Sequence, residues 1–494
     1  MQTVSVTCSA GEIQGRVKEE ALLFAGIPYA QPPVGNLRFK APQALRTFSE
    51  PYQAFKFGPA APQVPSGGMT DSAPVRWDED CLTLNVSAPV SISNTSASRP
   101  VLVWIHGGGY RTGQGAIPWY NGTRFARDQD IVVVSINYRL GALGFADLTH
   151  LGDEFKTSNV NGMLDQIAAL QWVQRNIEAF GGDPKRVTIA GESAGAFSVG
   201  ALMGCSAAQG LFSQAIAQSG AAHHTLPPAA AQTVGQTFCE HLGQNNAVGV
   251  MAASVEDILS AQTTTAAEFE SGAGFNNRLA TTVSPFYPVH GTELLPTNPL
   301  QAIKDGNAPT VRLLVGSNTD ETTLWGYGDV DESKLQRVAE DYGVAQHLKA
   351  YRNNRPTANA EQLLVALTSD HMFRIPCIRL AEAQLQHTPD VWMYLFNWKS
   401  RAFDGRLGAT HALEIPFAFN NLDRAGVDVF LGPGPSPQAL ADTMHQAWST
   451  FIKTGQPGWS NYRLADRSTM VFDDQSAITN DPMADERMIW EGLR

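Results

Sequence analysis

Short, uninterrupted apolar runs recur through the first half of the chain, and between them lie longer stretches in which apolar residues fall three or four positions apart. The runs are VLVWI (Val101 to Ile105), IVVVSI (Ile131 to Ile136) and RVTIA (Arg186 to Ala190). None alternates apolar with polar, so each predicts a strand covered on both faces, as in a mainly parallel sheet. The stretch before Arg186 places Leu164, Ile167, Ala168, Leu170, Trp172, Val173, Ile177 and Phe180 at helical spacing. Gly181 and Gly182 predict its end, and Pro184 prevents its continuation.

Two further strands are predicted at Val311 to Val315 and Val391 to Phe396, and Thr469 to Phe472 reads as an edge strand. Asn420 to Pro437 and Gln43 to Asp80 read as loops. From about Thr225 to Pro309 the pattern is amphipathic without a clear strand, which predicts a helical insertion over the sheet. No repeat or linker interrupts the chain. The expected architecture is therefore a single α/β domain over residues 1–494, with a mainly parallel central sheet, helices on both faces and a helical insertion around 225–309.

Composition narrows the function classes. Hydrophobic residues make up 43% of the 494 and charged residues 17%, the profile of a folded globular chain. A formal charge of -12 argues against nucleic-acid binding, which needs clustered Lys and Arg. The opening MQTVSVTCSAGEIQG has no basic or apolar leader pattern, and no run approaches eighteen apolar residues, so a cytoplasmic protein without membrane attachment is expected. The five cysteines show neither CxxC nor metal-like spacing, which suits reduced thiols and no metal.

The candidate chemistry centres on GESAGA, residues 191–196. A GxSxG match alone is weak, but this one follows the strand RVTIA and precedes the apolar AFSVGALMG, a strand, turn and helix that would expose the Ser193 hydroxyl at the sheet's carboxyl end. Nucleophilic attack on a carbonyl also needs donors for the oxyanion. VLVWI runs into His106, Gly107, Gly108 and Gly109, whose backbone amides suit that role; Gly108 and Gly109 are the candidate donors, joined by Ala194 after the serine. A phosphate loop is the weaker reading, because the Lys and Ser/Thr of a P-loop are absent.

A base and an orienting acid should follow the serine, the acid first. Among eleven histidines, His411 in GATHALEIPFAF lies in a loop beyond the strand VWMYLF. Asp320 and Glu321 both follow the strand VRLLV, and spacing does not choose between them.

With those residues in view, the chain resembles the type-B carboxylesterase family, α/β-hydrolases that include bacterial para-nitrobenzyl esterases and the cholinesterases. The resemblance rests on FAGIPYAQPPVGNLRFKAP, DEDCLTLN, VLVWIHGGGY, the segment from Asn161 through GESAGA, and GATHALEIPF, in order along nearly the whole chain. It implies Ser193 as nucleophile, His411 as base and Glu321 rather than Asp320 as acid, with Gly108, Gly109 and Ala194 as oxyanion donors. It further implies Arg38–Glu79 and Arg139–Asp165 ion pairs, and Glu192 and Ser219 beside the histidine.

The chain also departs from the family. Where relatives with a disulfide at the DEDCL cysteine carry its partner in CPQ, this sequence reads PAAPQ, leaving Cys81 unpartnered. The tryptophan that cholinesterases use for quaternary ammonium has no aromatic counterpart, and Trp77 lies too close to Cys81 to replace it. His290 stands where relatives commonly have aspartate, and a local hydrogen bond is expected of it. His223 and His224 are expected to line the pocket or the surface rather than bind a metal.

Together these features predict a serine carboxylester hydrolase that acts on a small-molecule ester through an acyl-enzyme. No cofactor is expected, and the chain would work as a monomer or homodimer. An amidase, a carbamate hydrolase or a specialised toxin or polyester esterase would use the same residues. A noncatalytic binding module is disfavoured by the intact Ser193, Glu321 and His411 set.

Overall fold

The structure, a computed structural model, describes residues 2–64, 76–94, 98–270 and 284–494. Its strands are Thr3–Cys8 (β1), Gly11–Lys18 (β2), Ala21–Pro28 (β3), Tyr52–Gln53 (β4), Thr83–Pro89 (β5), Arg99–Ile105 (β6), Val132–Ile136 (β7), Gly182–Glu192 (β8), Gln214–Gln218 (β9), Arg312–Asn318 (β10), Val391–Phe396 (β11), Ser468–Phe472 (β12) and Ala477–Asn480 (β13). They form one sheet in the order β1-β2-β3-β5-β7-β6-β8-β9-β10-β11-β12-β13, with β4 beside β2. Every pairing from β7 to β12 is parallel. The N-terminal strands and β13 add antiparallel margins.

The absence of alternation in the central strands has a direct cause. Val101, Val103 and Ile105 of β6 point into one core, whereas Leu102 and Trp104 point into a second core on the opposite face. Neighbouring β7 divides in the same way, with Val132 and Val134 on one side and Val133 on the other. Helix Asn161–Asn176 packs on the first face through Met163, Ile167, Leu170 and Val173, and helix Gln438–Thr454 on the second through Leu440, Met444, Trp448 and Phe451. Each strand residue is therefore dry, whichever way it points.

Several details differ from the sequence-based expectation. Thr469 to Phe472 lies one strand in from the edge, because β13 pairs with β12; all four β13 residues are exposed, so no apolar pattern announces it. Asn420 to Pro437 contains a short helix, Val427–Leu431, whose Val427, Phe430 and Leu431 are buried between flanking glycines. The region after Thr225 carries helices Pro228–Leu242, Ala247–Ala252, Val255–Glu270 and Pro299–Lys304, while residues 271–283 lie outside the described part. Residues 65–75 of the expected loop from Gln43 to Asp80 also lie outside it.

Both expected ion pairs form. Arg38 grips Glu79 through Nε and Nη2, each at 2.6 Å, and its Nη1 donates to the carbonyls of Met251 and Ala253. Arg139 and Asp165 meet in the interior, with Nε and Nη2 at 2.8 and 2.7 Å from the two carboxylate oxygens. All five cysteines are free thiols, and burial pushes the Cys81 thiol far above its ordinary range. Among the described residues no helix is long and apolar enough to cross a membrane.

Candidate active site

Strand β8 ends at Glu192 and helix Ala194–Met203 begins two residues later, leaving Ser193 alone to make the turn. Its φ of 55° and ψ of -124° are costly for a residue with a side chain, by about 1–3 kcal/mol. Two backbone bonds hold it there: the Ser193 amide donates to Gln218, and its carbonyl accepts from Phe197. The flanking glycines are sterically required. A Cβ on Gly191 would lie 2.4 Å from the carbonyl carbon of Gly195, and one on Gly195 would lie 2.0 Å from the carbonyl oxygen of Ile105. Ala194 is the first helical residue, so its N–H has no partner within the helix and lies at the positive end of the dipole.

The loop after β6 lies against this turn. A Cβ on Gly107 would come within 2.7 Å of the Glu192 carbonyl oxygen and 3.0 Å of the Ser193 Cβ. Gly108 and Gly109 have φ of 106° and 60°, and a Cβ on Gly108 would strike the Thr112 carbonyl at 2.2 Å. His106 braces the loop, with Nδ1 at 2.8 Å from the Gly107 carbonyl and its ring stacked on Tyr138. Burial lowers the His106 pKa to about 4, so the ring is neutral.

His411 faces the same corner. Its Nδ1 is 2.6 Å from Oε2 of Glu321, and its amide donates to the Glu321 carbonyl. Glu321 opens the turn after β10, fully buried, with Oε1 accepting from the Asn318 amide. Asp320 points elsewhere: its Oδ2 accepts from the Ala409 amide and pairs with Lys399. The choice left open by spacing thus has a geometric answer, because consecutive residues of that tight turn project in different directions.

The other ring nitrogen, Nε2, lies 3.1 Å from Oε1 of Glu192. Since Glu192 directly precedes Ser193, this contact brings the imidazole to the serine turn. Phe373 and Trp325 flank the ring at centroid distances of 4.7 and 5.1 Å. Ser219 is buried at the end of β9, whose Gln218 is in register with Glu192; among the described residues its Oγ has no hydrogen-bond partner, so it does not bond His411.

A third carboxylate, Glu414, belongs to the cluster and escaped sequence reasoning. It accepts from Asn318 Nδ2 at 2.7 Å and Gln218 Nε2 at 3.1 Å, and Gln218 in turn accepts from the Trp448 indole. Its one trace in the sequence is its place three residues after His411. Burial opposes the His411 charge, yet Glu192, Glu321 and Glu414 outweigh that effect and raise its pKa to about 9. Burial raises Glu192 to about 8 against the pull of His411, and burial with the Glu321 charge raises Glu414 to about 7.

The remaining histidines separate cleanly. His290 Nδ1 is 3.0 Å from Thr225 Oγ1, the local hydrogen bond expected of it. His224 is buried and stacks on Phe197 at 3.6 Å. Among the described residues no cluster of three or more His, Cys, Asp or Glu side chains has metal-site geometry.

A glycine loop after β6, a strained serine turn and a histidine–glutamate pair lie together at one end of a parallel sheet. Residues 2–479 match the carboxylesterase family model. The chain belongs to that family. It is 36% identical to para-nitrobenzyl esterase of Bacillus subtilis (strain 168), over 98% of this chain and 97% of the relative. It is equally identical to phenmedipham hydrolase of Pseudarthrobacter oxydans, over 95% of each. The solved carboxylesterase of Geobacillus stearothermophilus superposes with a TM-score of 0.87 at 33% identity, covering 98% of this chain and 99% of that one. The fold is that of the α/β-hydrolases, and this carboxylesterase is a serine enzyme that hydrolyses carboxylic esters.

Proposed function

We propose that Ser193 attacks the ester carbonyl while His411 takes its proton, that Glu321 orients and stabilises the imidazolium, and that the amides of Gly108, Gly109 and Ala194 hold the oxyanion. The observation that carries this reading is the 2.6 Å His411–Glu321 pair beside a serine held at positive φ. The tetrahedral intermediate collapses to an acyl-enzyme as His411 returns the proton to the departing alcohol. Water, deprotonated by the same ring, then breaks the acyl bond, releases the acid and restores the Ser193 hydroxyl. Each oxyanion donor supplies roughly 3 to 4 kcal/mol of transition-state stabilisation.

The substrate in this reading is a small-molecule ester with an aryl or other flat group, suited to the Phe373 and Trp325 faces beside His411. The relative named for para-nitrobenzyl esters favours that class, and phenmedipham is a second compound to assay. The test is hydrolysis of short-chain 4-nitrophenyl esters by the native enzyme and Ser193→Ala. A loss of roughly 10⁶-fold in kcat is expected, with an organophosphonate mapped to Ser193. Activity retained at the native level, or an adduct on another serine, removes Ser193 from the mechanism.

A further inference from the structure

The segment from Trp490 to Arg494 is pinned against helix Ile375–Gln384. Arg379 donates through Nε to the Arg494 carbonyl at 2.8 Å and through Nη2 to the Trp490 carbonyl at 3.2 Å. The Trp490 indole donates to Tyr351 Oη. So anchored, Arg494 turns its side chain inward, where Nε and Nη2 are both buried with no hydrogen-bond partner among the described residues.

That pair of atoms is the edge with which this protein grips carboxylates. Arg38 holds Glu79, Arg139 holds Asp165, Arg374 holds Asp370 and Arg487 holds Asp481, each through Nε and Nη2 to the two oxygens of one carboxylate. Arg494 presents the same fork with no carboxylate among the described residues to fill it. A buried guanidinium without a counter-charge destabilises the fold. Its surroundings do not offset that cost: the charged neighbours that would pair with it are replaced by His223, His224, His371, Tyr287 and Tyr342, all within its electrostatic reach.

Two of these histidines are also short of partners. Nδ1 of His223 and of His371 is buried with no hydrogen-bond partner among the described residues, whereas the His224 ring meets the backbone of Ala221 and Met372. His371 stacks on Tyr342 at 3.8 Å and meets Trp490 at a tilt, 5.5 Å away. Burial lowers the pKa of all three imidazoles, and the Arg494 charge lowers them further, so the rings are neutral, and His223 and His371 can each donate one N–H.

The cluster adjoins the reaction centre through two aromatic contacts. His224 stacks on Phe197, one helical turn beyond Ser193. His371 shares the π-helical turn Asp370–Arg374 with Phe373, whose ring flanks His411; such turns recur at functional sites. We propose that Arg494, with His223 and His371, forms a carboxylate-binding subsite beside the catalytic serine, and that the favoured esters carry a free carboxylate. This rests on the serine-esterase reading above. A bidentate bond to the Nε/Nη2 edge, completed by imidazole N–H groups, supplies the recognition.

The test compares charged and uncharged esters of similar shape. The acyl-side pair is 4-nitrophenyl hydrogen glutarate against 4-nitrophenyl valerate, and the alcohol-side pair is 4-acetoxybenzoate against 4-acetoxybenzamide. Each is assayed with the native enzyme, Arg494→Gln and Arg494→Lys. Arg494→Gln is expected to lower kcat/KM at least tenfold for one charged ester, through KM, while both uncharged esters stay within twofold; Arg494→Lys should retain part of the preference. The affected pair tells which side of the ester carries the carboxylate. Loss in parallel for all esters, or no loss for either charged one, overturns the subsite.

A binding measurement is independent of turnover. Glutarate and benzoate should raise the melting temperature of native enzyme and of Ser193→Ala, but not that of Arg494→Gln, which should itself melt higher than native when free of ligand. Equal shifts in native and Arg494→Gln also overturn the proposal. If the uncharged aryl esters are not hydrolysed at all, the serine-esterase reading fails, and these melting shifts still decide whether the subsite exists.

Discussion

Asp165 and Glu321 are both fully buried carboxylates, each bonded to one cationic or ionisable side chain, yet they sit in opposite electrostatic situations. Asp165 meets a permanently charged guanidinium that covers both its oxygens, and the Arg139 amide adds a third bond. Charge is matched one to one, and the pair ties helix Asn161–Asn176 to the loop after β7. Around His411 the matching fails: Glu192, Glu321 and Glu414 share one titratable ring. A balanced buried pair is structural; an excess of carboxylates around one imidazole leaves a proton free to move, which is what acyl transfer requires.

Substitutions can sharpen that contrast. Glu321→Gln keeps the shape of the acid but removes the charge that holds the His411 tautomer, and kcat should fall about 10⁴-fold while the melting temperature changes little. Steady-state kinetics beside calorimetry checks it, and a loss of stability in proportion to activity would make Glu321 merely structural. Asp165→Asn should do the reverse. Leaving Arg139 buried without its counter-charge should cost about 3–5 kcal/mol of stability, measured by urea unfolding, while kcat per folded molecule is unchanged.

The smallest effect is on pH dependence. In the proposed mechanism the base must be neutral to accept the Ser193 proton, so activity should rise with pH as His411 deprotonates from a pKa raised to about 9. Glu192→Gln removes one of the carboxylates that raise it, and the acid limb of kcat/KM should move to lower pH; a limb that stays in place would discount the 3.1 Å contact. The same groups set stability. His411 holds its proton to higher pH folded than unfolded, so its contribution is complete below about pH 6.5 and lost as pH rises through about 9. Glu192 and Glu414, raised to about 8 and 7, act in the same direction above about pH 4.5. The melting temperature should therefore fall between pH 6 and 9, and less steeply in Glu192→Gln.

Much of this was legible along the chain. The central strands and the helix Asn161–Asn176 follow from uninterrupted apolar runs and helical spacing, and Ser193 from its place between a strand and a helix. Strand β9 escaped because QAIAQ is short and built of small residues, although its end positions Gln218 and Ser219 beside the serine turn. The antiparallel β1 to β3 escaped because their partners are one another and β5, and pairing is not encoded in one segment's periodicity.

By itself the sequence determined the local features: which segments are dry on both faces, where glycines free the backbone at residues 107–109, 191 and 195, and that candidates for a nucleophile, an oxyanion loop, an acid and a base exist in a workable order. These follow from short-range sterics and burial pattern. Tertiary structure turned Glu321 toward His411 and Asp320 away, a choice that spacing left open and the family resemblance only implied; it added Glu414 to the His411 cluster and left the Arg494 fork without a carboxylate among the described residues. Those outcomes depend on side chains tens to hundreds of residues apart meeting in a low-dielectric interior, where direction and desolvation, rather than residue type, set the charge each group can hold.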